Sequence, residues 1–303
     1  MKIEKAARIG FCHGVRRALE IVEQASQEHG SLETLGEVVH NAQVVQKLAW
    51  LGVGVAETVD DARSKRIVIS AHGVGPQVKE KLRARRLDVI DATCPSVRRV
   101  QQIARKLFED GFFVVVYGDA DHAEVKGILG WADQKGMATK DEQDVVRLEP
   151  LPKRIGILSQ TTQVPADFRE FVKKIIDATL VQGSEIRVSD TICHDIRRRQ
   201  ESAQEVAGRA EVMVVVGGRT SANTRHLADL CSRVVTTYTV QSADELRPEW
   251  FQGVSRVGVT AGASTADETI DEVVAALERM HGRKTKTLRR KERERSNGED
   301  RGN

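Results

Sequence analysis

At 303 residues the chain is long enough for two or three small domains, each with its own core. It has no run of the ~18 apolar residues that a membrane span needs, and its first residues, MKIEKAARIGF, lack the apolar centre of a secretory signal, so the expected location is the cytoplasm. The formal charge is +3, yet residues 281–303 hold nine Lys or Arg against four Asp or Glu, which leaves a body with a net of −2 and no basic excess to attract nucleic acid.

In chain order, short runs rich in Val and Ile predict strands: RIVIS at 66–70, FFVVVY at 112–117, RIGIL at 154–158, EVMVVV at 211–216 and RVGVT at 256–260. Between them lie helical patterns such as VRRVQQIARKLFEDG, with apolar residues three and four apart and a closing glycine. Such alternation predicts an α/β protein of parallel sheets covered by helices. The stretch 281–303 has one aliphatic residue, cannot bury enough surface to offset ordering, and is expected to be a basic, disordered tail.

A repeat runs through this alternation. Cys12–Arg17 reads CHGVRR, Cys94–Arg99 reads CPSVRR and Cys193–Arg198 reads CHDIRR, so three of the four cysteines open a C-x-x-[VI]-R-R pattern. The copies lie 82 and 99 residues apart, which predicts three similar α/β units: 13–94, 95–192, and 193–280 together with 1–12. Pro95 suits the first position of a helix, which places Cys94 at the N-cap, and the other two cysteines by analogy. Unpaired N–H groups and the helix dipole there favour thiolate over thiol. Three such thiolates converge only if the units pack around one centre. Cys231, on a helical pattern outside the repeat, reads as a packing residue.

Each unit also ends two apolar runs in small or polar residues: His40 and His72 in the first, His122, Glu124 and Thr161 in the second, Ser221, Asn223 and Ser264 in the third. In open parallel sheets ligands bind beyond the carboxyl ends of strands. Imidazoles, hydroxyls, an amide and glycine-exposed N–H groups suit a diphosphate or similar anion, and do not resemble the carboxylate cage of magnesium. A lone histidine is more often a satisfied surface or core residue, which is the reading for His13, His29, His194, His226 and His281; Ser221, Asn223 and Ser264 could equally be caps and turns. The three thiolates suit either zinc with a histidine as fourth ligand, although no C-x-x-C knuckle is present, or a 4Fe-4S cluster with one iron left for substrate. A zinc hydrolase and a non-catalytic iron–sulfur sensor with its basic tail on nucleic acid are therefore the competing classes.

Over residues 1–280 the stretches GFCHGVRRAL, EVVHN, SAHGV, DATCPSV, HAEVKG, SQTT, DTICHDIRRRQ, SANT and GVTAGAS together resemble the 4-hydroxy-3-methylbut-2-enyl diphosphate reductase family of the non-mevalonate isoprenoid pathway. The resemblance implies a pseudo-threefold trefoil of three α/β units around a central 4Fe-4S cluster, one per subunit, held by Cys12, Cys94 and Cys193. It implies that His40, His72, His122, Ser221, Asn223 and Ser264 hold the diphosphate, that Thr161 lies beside the substrate and that Glu124 is the proton source. It further implies reductive dehydroxylation to isopentenyl and dimethylallyl diphosphates, with electrons from a donor such as ferredoxin or flavodoxin. The chain departs from the family pattern in HAEV where HPEV is usual, in Thr220 where Asn is common, and in Ala222 where some members carry a second serine.

Overall fold

The computed structural model describes residues 1–180 and 183–280; the expectation of a disordered tail falls outside the described residues. The chain forms two compact units, Phe11–Arg198 and Met1–Gly10 joined to the chain from Arg199 onward.

The Phe11–Arg198 unit holds two four-stranded parallel sheets. The first is built from β2 (Leu32–Leu35), β3 (Val53–Ala56), β4 (Arg66–Ile69) and β5 (Asp88–Asp91), in the order β3-β2-β4-β5, after α1 (His13–His29) and with α2 (Ala42–Trp50) and α3 (Pro76–Ala84) between strands. The second follows α4 (Pro95–Glu109) and consists of β6 (Phe113–Tyr117), β7 (Gly136–Thr139), β8 (Arg154–Ser159) and β9 (Glu185–Val188), in the order β7-β6-β8-β9, with α5 (Ala123–Trp131), α6 (Glu142–Val146) and α7 (Pro165–Thr179) as connections. In the other unit β1 (Lys2–Lys5), β10 (Val212–Val216), β11 (Thr237–Val240) and β12 (Arg256–Ala261) give the order β11-β10-β12-β1, with α8 (His194–Ala207) leading in, α9 (Ala222–Ser232) as connection and a last helix, α10, over 267–280.

The three sheets thus share one connectivity, in which β5, β9 and β1 are equivalent edge strands. Each precedes one cysteine of the repeat: Asp91 ends β5 before Cys94, Val188 ends β9 before Cys193, and Lys5 ends β1 before Cys12. The five apolar runs read as strands are β4, β6, β8, β10 and β12, all interior strands flanked on both sides. Their Val, Ile and Leu side chains make up the middle of the cores; Val114, Val115, Val116, Ile155, Ile157 and Leu158 are all fully buried.

One reading changes. The apolar pair Val38–Val39 before His40 is not a strand; the strand lies earlier, at Leu32–Leu35, and the two valines are a buried loop segment in the core under α1. Glu33 and Thr34 interrupt the apolar pattern of β2, and Val38–Val39 supply core packing without a ladder.

Candidate active site

The cysteines of the repeat stand where helices begin. Cys12 caps α1, its sulfur accepting from the Val15 amide at 3.4 Å. Cys94 caps α4 ahead of Pro95, and Cys193 precedes α8, its carbonyl taking the Arg197 amide at 3.0 Å. For Cys94 the expected helix-activated thiolate is corrected. Burial pushes this thiol up, the Ser96 and Val97 amides pull it down by less, and the negative charges of Cys193 and Glu124 add to the effect of burial.

Two equivalent loops are built alike. Asp91 Oδ1 accepts from the Thr93 amide at 3.0 Å, and Asp190 Oδ1 from the Ile192 amide at 3.2 Å, so each Asp three residues before a cysteine tightens the approach to it. The same Asp then binds the first arginine of the repeat: Asp91 meets Arg98 at 3.2 Å, and Asp190 accepts from Arg197. In the first copy Ile9 stands at that place, and Arg16 has no corresponding acid. Instead the second arginine, Arg17, reaches from α1 to the Ala92 and Thr93 carbonyls, at 3.5 and 3.3 Å, directly before Cys94. The amide of Cys94 donates to Ala71 O at 3.0 Å and that of Cys193 to Thr161 O at 2.9 Å, tying each cysteine to the exit loop of the neighbouring strand.

Whether these cysteines suit a metal group is tested at Gly14. A Cβ there would lie 2.5 Å from Cys94 Sγ, a clash, and 3.9 Å from Cys12 Sγ, an ordinary contact, so a bare glycine leaves the Cys94 sulfur its place against α1. Ser96 Oγ, two residues after Cys94, lies 3.5 Å from Cys193 Sγ. None of the three is in a disulfide. Thiols are the ligand type that iron–sulfur groups use, although among the described residues the group at ligand spacing is the three histidines and not the three cysteines.

The exit loops of β2, β4 and β6 bring three histidines together. His40 and His72 stack with centroids 4.6 Å apart, and His122 meets them edge-on at 5.2 and 5.3 Å. One ring nitrogen from each lies within 4.8 Å of the other two. The approach depends on glycine: a Cβ at Gly130 on α5 would sit 2.9 Å from Gly75 Cα, so the loop carrying His72 touches α5 backbone to backbone. The Trp131 indole adds a 3.0 Å bond to Val74 O across the same contact. His122 is the N-cap of α5, its Nδ1 accepting from the Glu124 amide at 3.1 Å, which leaves Nε2 to carry the ring proton. His40 Nδ1 lies 3.3 Å from Glu37 Oε2. Burial holds the His72 pKa well below its ordinary value, with repulsion from His40 and His122 adding to it.

Two residues beyond His122, Glu124 is almost fully buried. Its Oε1 accepts from the Thr161 amide at 2.8 Å and its Oε2 from the Thr161 hydroxyl at 2.9 Å. Burial nevertheless pushes the carboxyl up to about 7, against those two bonds. It can therefore exchange its proton near neutral pH.

In the other unit, Ser221 caps α9 by accepting from the Thr224 amide at 3.4 Å, and Asn223 lies buried in the first turn. Neither the nitrogen nor the oxygen of the Asn223 amide has a partner among the described residues. Ser264 lies in the exit of β12, also buried. Cys231 packs within a core of Ala203, Val206, Met213, Val215 and Leu227, where burial pushes its thiol to about 11. Sequence reasoning missed Asp91, Asp190, Gly14, Ser96 and the Gly75–Gly130 pair. Only the two aspartates left a signal, the acid three residues before the cysteine in DATC and DTIC.

Comparison with known proteins places this arrangement in a family. The family described as LytB protein matches residues 3–278. A protein of Dehalococcoides mccartyi named 4-hydroxy-3-methylbut-2-enyl diphosphate reductase is 51% identical over 280 residues, which is 92% of this chain and 99% of the relative. One of the same name from Geobacter sulfurreducens is 41% identical over 94% of this chain and 99% of its own length. Among solved structures, one of (E)-4-hydroxy-3-methyl-but-2-enyl diphosphate reductase, the terminal enzyme of the non-mevalonate pathway, matches with a TM-score of 0.66 and 37% identity, covering 92% of this chain and 100% of that one. The E-1-hydroxy-2-methyl-but-2-enyl-4-diphosphate reductase of Plasmodium falciparum gives 0.84 at 27% identity, over 90% and 86% of the two chains. The chain belongs to the LytB protein family.

Proposed function

We propose that the chain is an oxidoreductase of isoprenoid biosynthesis by the non-mevalonate route, converting 4-hydroxy-3-methylbut-2-enyl diphosphate to isopentenyl and dimethylallyl diphosphates. Two electrons and two protons enter and water leaves. The observation that carries this reading is the buried Glu124–Thr161 pair beside the three-histidine cluster: a proton source next to an anion site. The 51% identity to the Dehalococcoides enzyme over nearly its whole length supports it.

Cys12, Cys94 and Cys193 are the proposed ligands of a 4Fe-4S cluster. When bound, it supplies single electrons and an iron free of protein thiolate that polarises the substrate C–O bond. The electrons come from a small carrier protein such as ferredoxin or flavodoxin in the cytoplasm. Among the described residues, no helix is long and apolar enough to cross a membrane.

His40, His72 and His122 bind the diphosphate end. His122 presents its Nε2–H because its Nδ1 is engaged by the Glu124 amide. An anion beside neutral His72 favours its charged form, against burial and the repulsion of its two neighbours. Ser221, Asn223 and Ser264 carry the same assignment on sequence grounds. Ala222, at the start of α9 beside Ser221, has no hydroxyl to offer the ligand.

The proton follows from the atoms around Glu124. With the carboxyl protonated at Oε2, the bond to Thr161 reverses: Oε2–H donates to Thr161 Oγ, and the threonine hydrogen turns toward the substrate. The carboxyl and hydroxyl together then hand one proton to the departing oxygen, which leaves as water. The Thr161 amide stays on Oε1 throughout and fixes the carboxyl plane.

Anaerobically purified protein, assayed with the hydroxylated diphosphate and a chemical reductant, is expected to form both products. Iron and sulfide analysis of the same sample is expected to find a cluster and no stoichiometric zinc. A protein with a full cluster and no turnover would overturn the reading.

A further inference from the structure

The position two residues after each cysteine of the repeat is occupied by Gly14, Ser96 and Asp195, three residues of different chemistry at one helical place. Two of these face the sulfur of the next cysteine along the chain. Gly14 lies against Cys94, where an added Cβ would come within 2.5 Å of its Sγ. Ser96 lies against Cys193, with its hydroxyl oxygen 3.5 Å from the sulfur. The helix start therefore supports the following cysteine as well as carrying its own, and in the second copy it does so with a hydrogen-bond donor.

We propose that Ser96 is a positioning residue that donates a hydrogen bond to the Cys193 sulfur and thereby sets the reduction potential of the group the cysteines hold. The proposal rests on the reading of Cys193 as a ligand. As a thiolate, the sulfur can only accept, so the Ser96 hydroxyl is the donor. A donor to a ligating sulfur draws electron density from it and stabilises the more negative, reduced form, which raises the potential. The effect is local to one ligand of three. Gly14 offers Cys94 no donor from its side chain.

The geometry also limits what can replace Ser96. It occupies the first turn of α4, directly after Pro95, where the backbone is fixed by the proline and by the Arg98 amide bond to Cys94 O at 2.9 Å. The hydroxyl thus reaches the sulfur from a place the helix sets, and removing it leaves the helix start unchanged.

The test compares wild-type holoenzyme with Ser96→Ala and Ser96→Thr, all purified anaerobically, in mediated reductive titrations followed by electron paramagnetic resonance and visible absorbance. Ser96→Ala is expected to retain the iron and sulfide content of the wild type and to titrate at a more negative midpoint. Ser96→Thr, which keeps the hydroxyl, is expected to return toward the wild-type value. If Ser96→Ala does not load its cluster, Ser96→Gly, with the residue of the first repeat at this place, is titrated in its stead with the same expectation. An unchanged midpoint in the variant lacking the hydroxyl overturns the proposal and leaves the ligand assignment standing. Cys193→Ser with undiminished iron and sulfide overturns the ligand assignment itself, and the proposal with it.

Discussion

Glu124 carries opposing demands in one side chain. Its carboxyl sits in the protein interior, held by two bonds from Thr161, yet burial raises it from 4.5 to about 7. The folded state therefore binds this proton more tightly than the unfolded state. The destabilisation is absent below about pH 4.5 and complete above about pH 7, where it amounts to roughly 3 kcal/mol by the shift. Glu124→Gln removes the charge and keeps an oxygen for the Thr161 amide. Relative to wild type the variant should gain stability as pH rises from 5 to 8, read as thermal midpoints at each pH. The same variant should retain the cluster while losing at least about a hundredfold in turnover, the low end of what a positioned acid supplies. Near-normal turnover would remove Glu124 from the reaction.

His72 gives a second measurement at the same scale. Burial and its two histidine neighbours keep it neutral in the free site, and an anion bound beside it favours the charged form. Binding of inorganic pyrophosphate should therefore take up protons at pH 7, visible in calorimetry as an enthalpy that changes with the ionisation enthalpy of the buffer. Affinity should rise as pH falls from 7 to 6. Because pyrophosphate itself titrates near neutrality, the uptake is compared with that of His72→Asn, and equal uptake in the two would mean that His72 does not charge on binding.

At the scale of elements, the repeat is explained by its arginines as much as by its cysteines. C-x-x-[VI]-R-R was legible because the first arginine closes an Asp-anchored loop in two copies, and the second reaches carbonyls before Cys94 in the remaining one. Asp91, half-buried, accepts from Thr93, Lys79 and Arg98. Although burial raises it, the bonds from Thr93 and the Lys79 ammonium hold it below its ordinary value. Its contribution to stability is present above the unfolded pKa and is lost as pH falls through the lower folded value. Asp91→Asn should cost about 1–2 kcal/mol at neutral pH in denaturant unfolding and loosen the Cys94 loop, and the deficit should shrink toward pH 3.

The interior strands were legible for a simple reason: β4, β6, β8, β10 and β12 have neighbours on both sides and bury nearly every residue. The edge strands β1, β3, β5, β7, β9 and β11, each four residues long, carry partly exposed sequences such as DVID and EIRV that no apolar run betrays. The glycine contact behind the histidines was hidden as well. Gly75 and Gly130 lie 55 residues apart, and nothing local marks either as half of a pair. Gly130→Ala puts a methyl within 2.9 Å of Gly75 Cα and must separate the His72 loop from α5. The expected result is a loss of about 1–3 kcal/mol in stability, with KM for the diphosphate raised more than kcat is lowered.

For the whole molecule, the consequential fact is that the three cysteines are remote in sequence. Cys12, Cys94 and Cys193 close loops of 82 and 99 residues when one group holds them. Cross-links over such lengths restrict the unfolded chain, by a chain-entropy estimate of roughly 4 to 5 kcal/mol each. The apoprotein must in addition keep three thiols near one another with nothing between them, and for Cys94 burial already opposes the charged form. Holoenzyme should therefore melt well above protein whose cluster has been removed by chelation under anaerobic conditions. Cys231→Ser is the internal control. Its thiol lies in a hydrophobic core, so its replacement should lower both midpoints alike, whereas serine at Cys12, Cys94 or Cys193 should abolish the difference between holo and apo preparations. Equal midpoints with and without the cluster would show that the fold does not depend on the group its three remote cysteines are proposed to share.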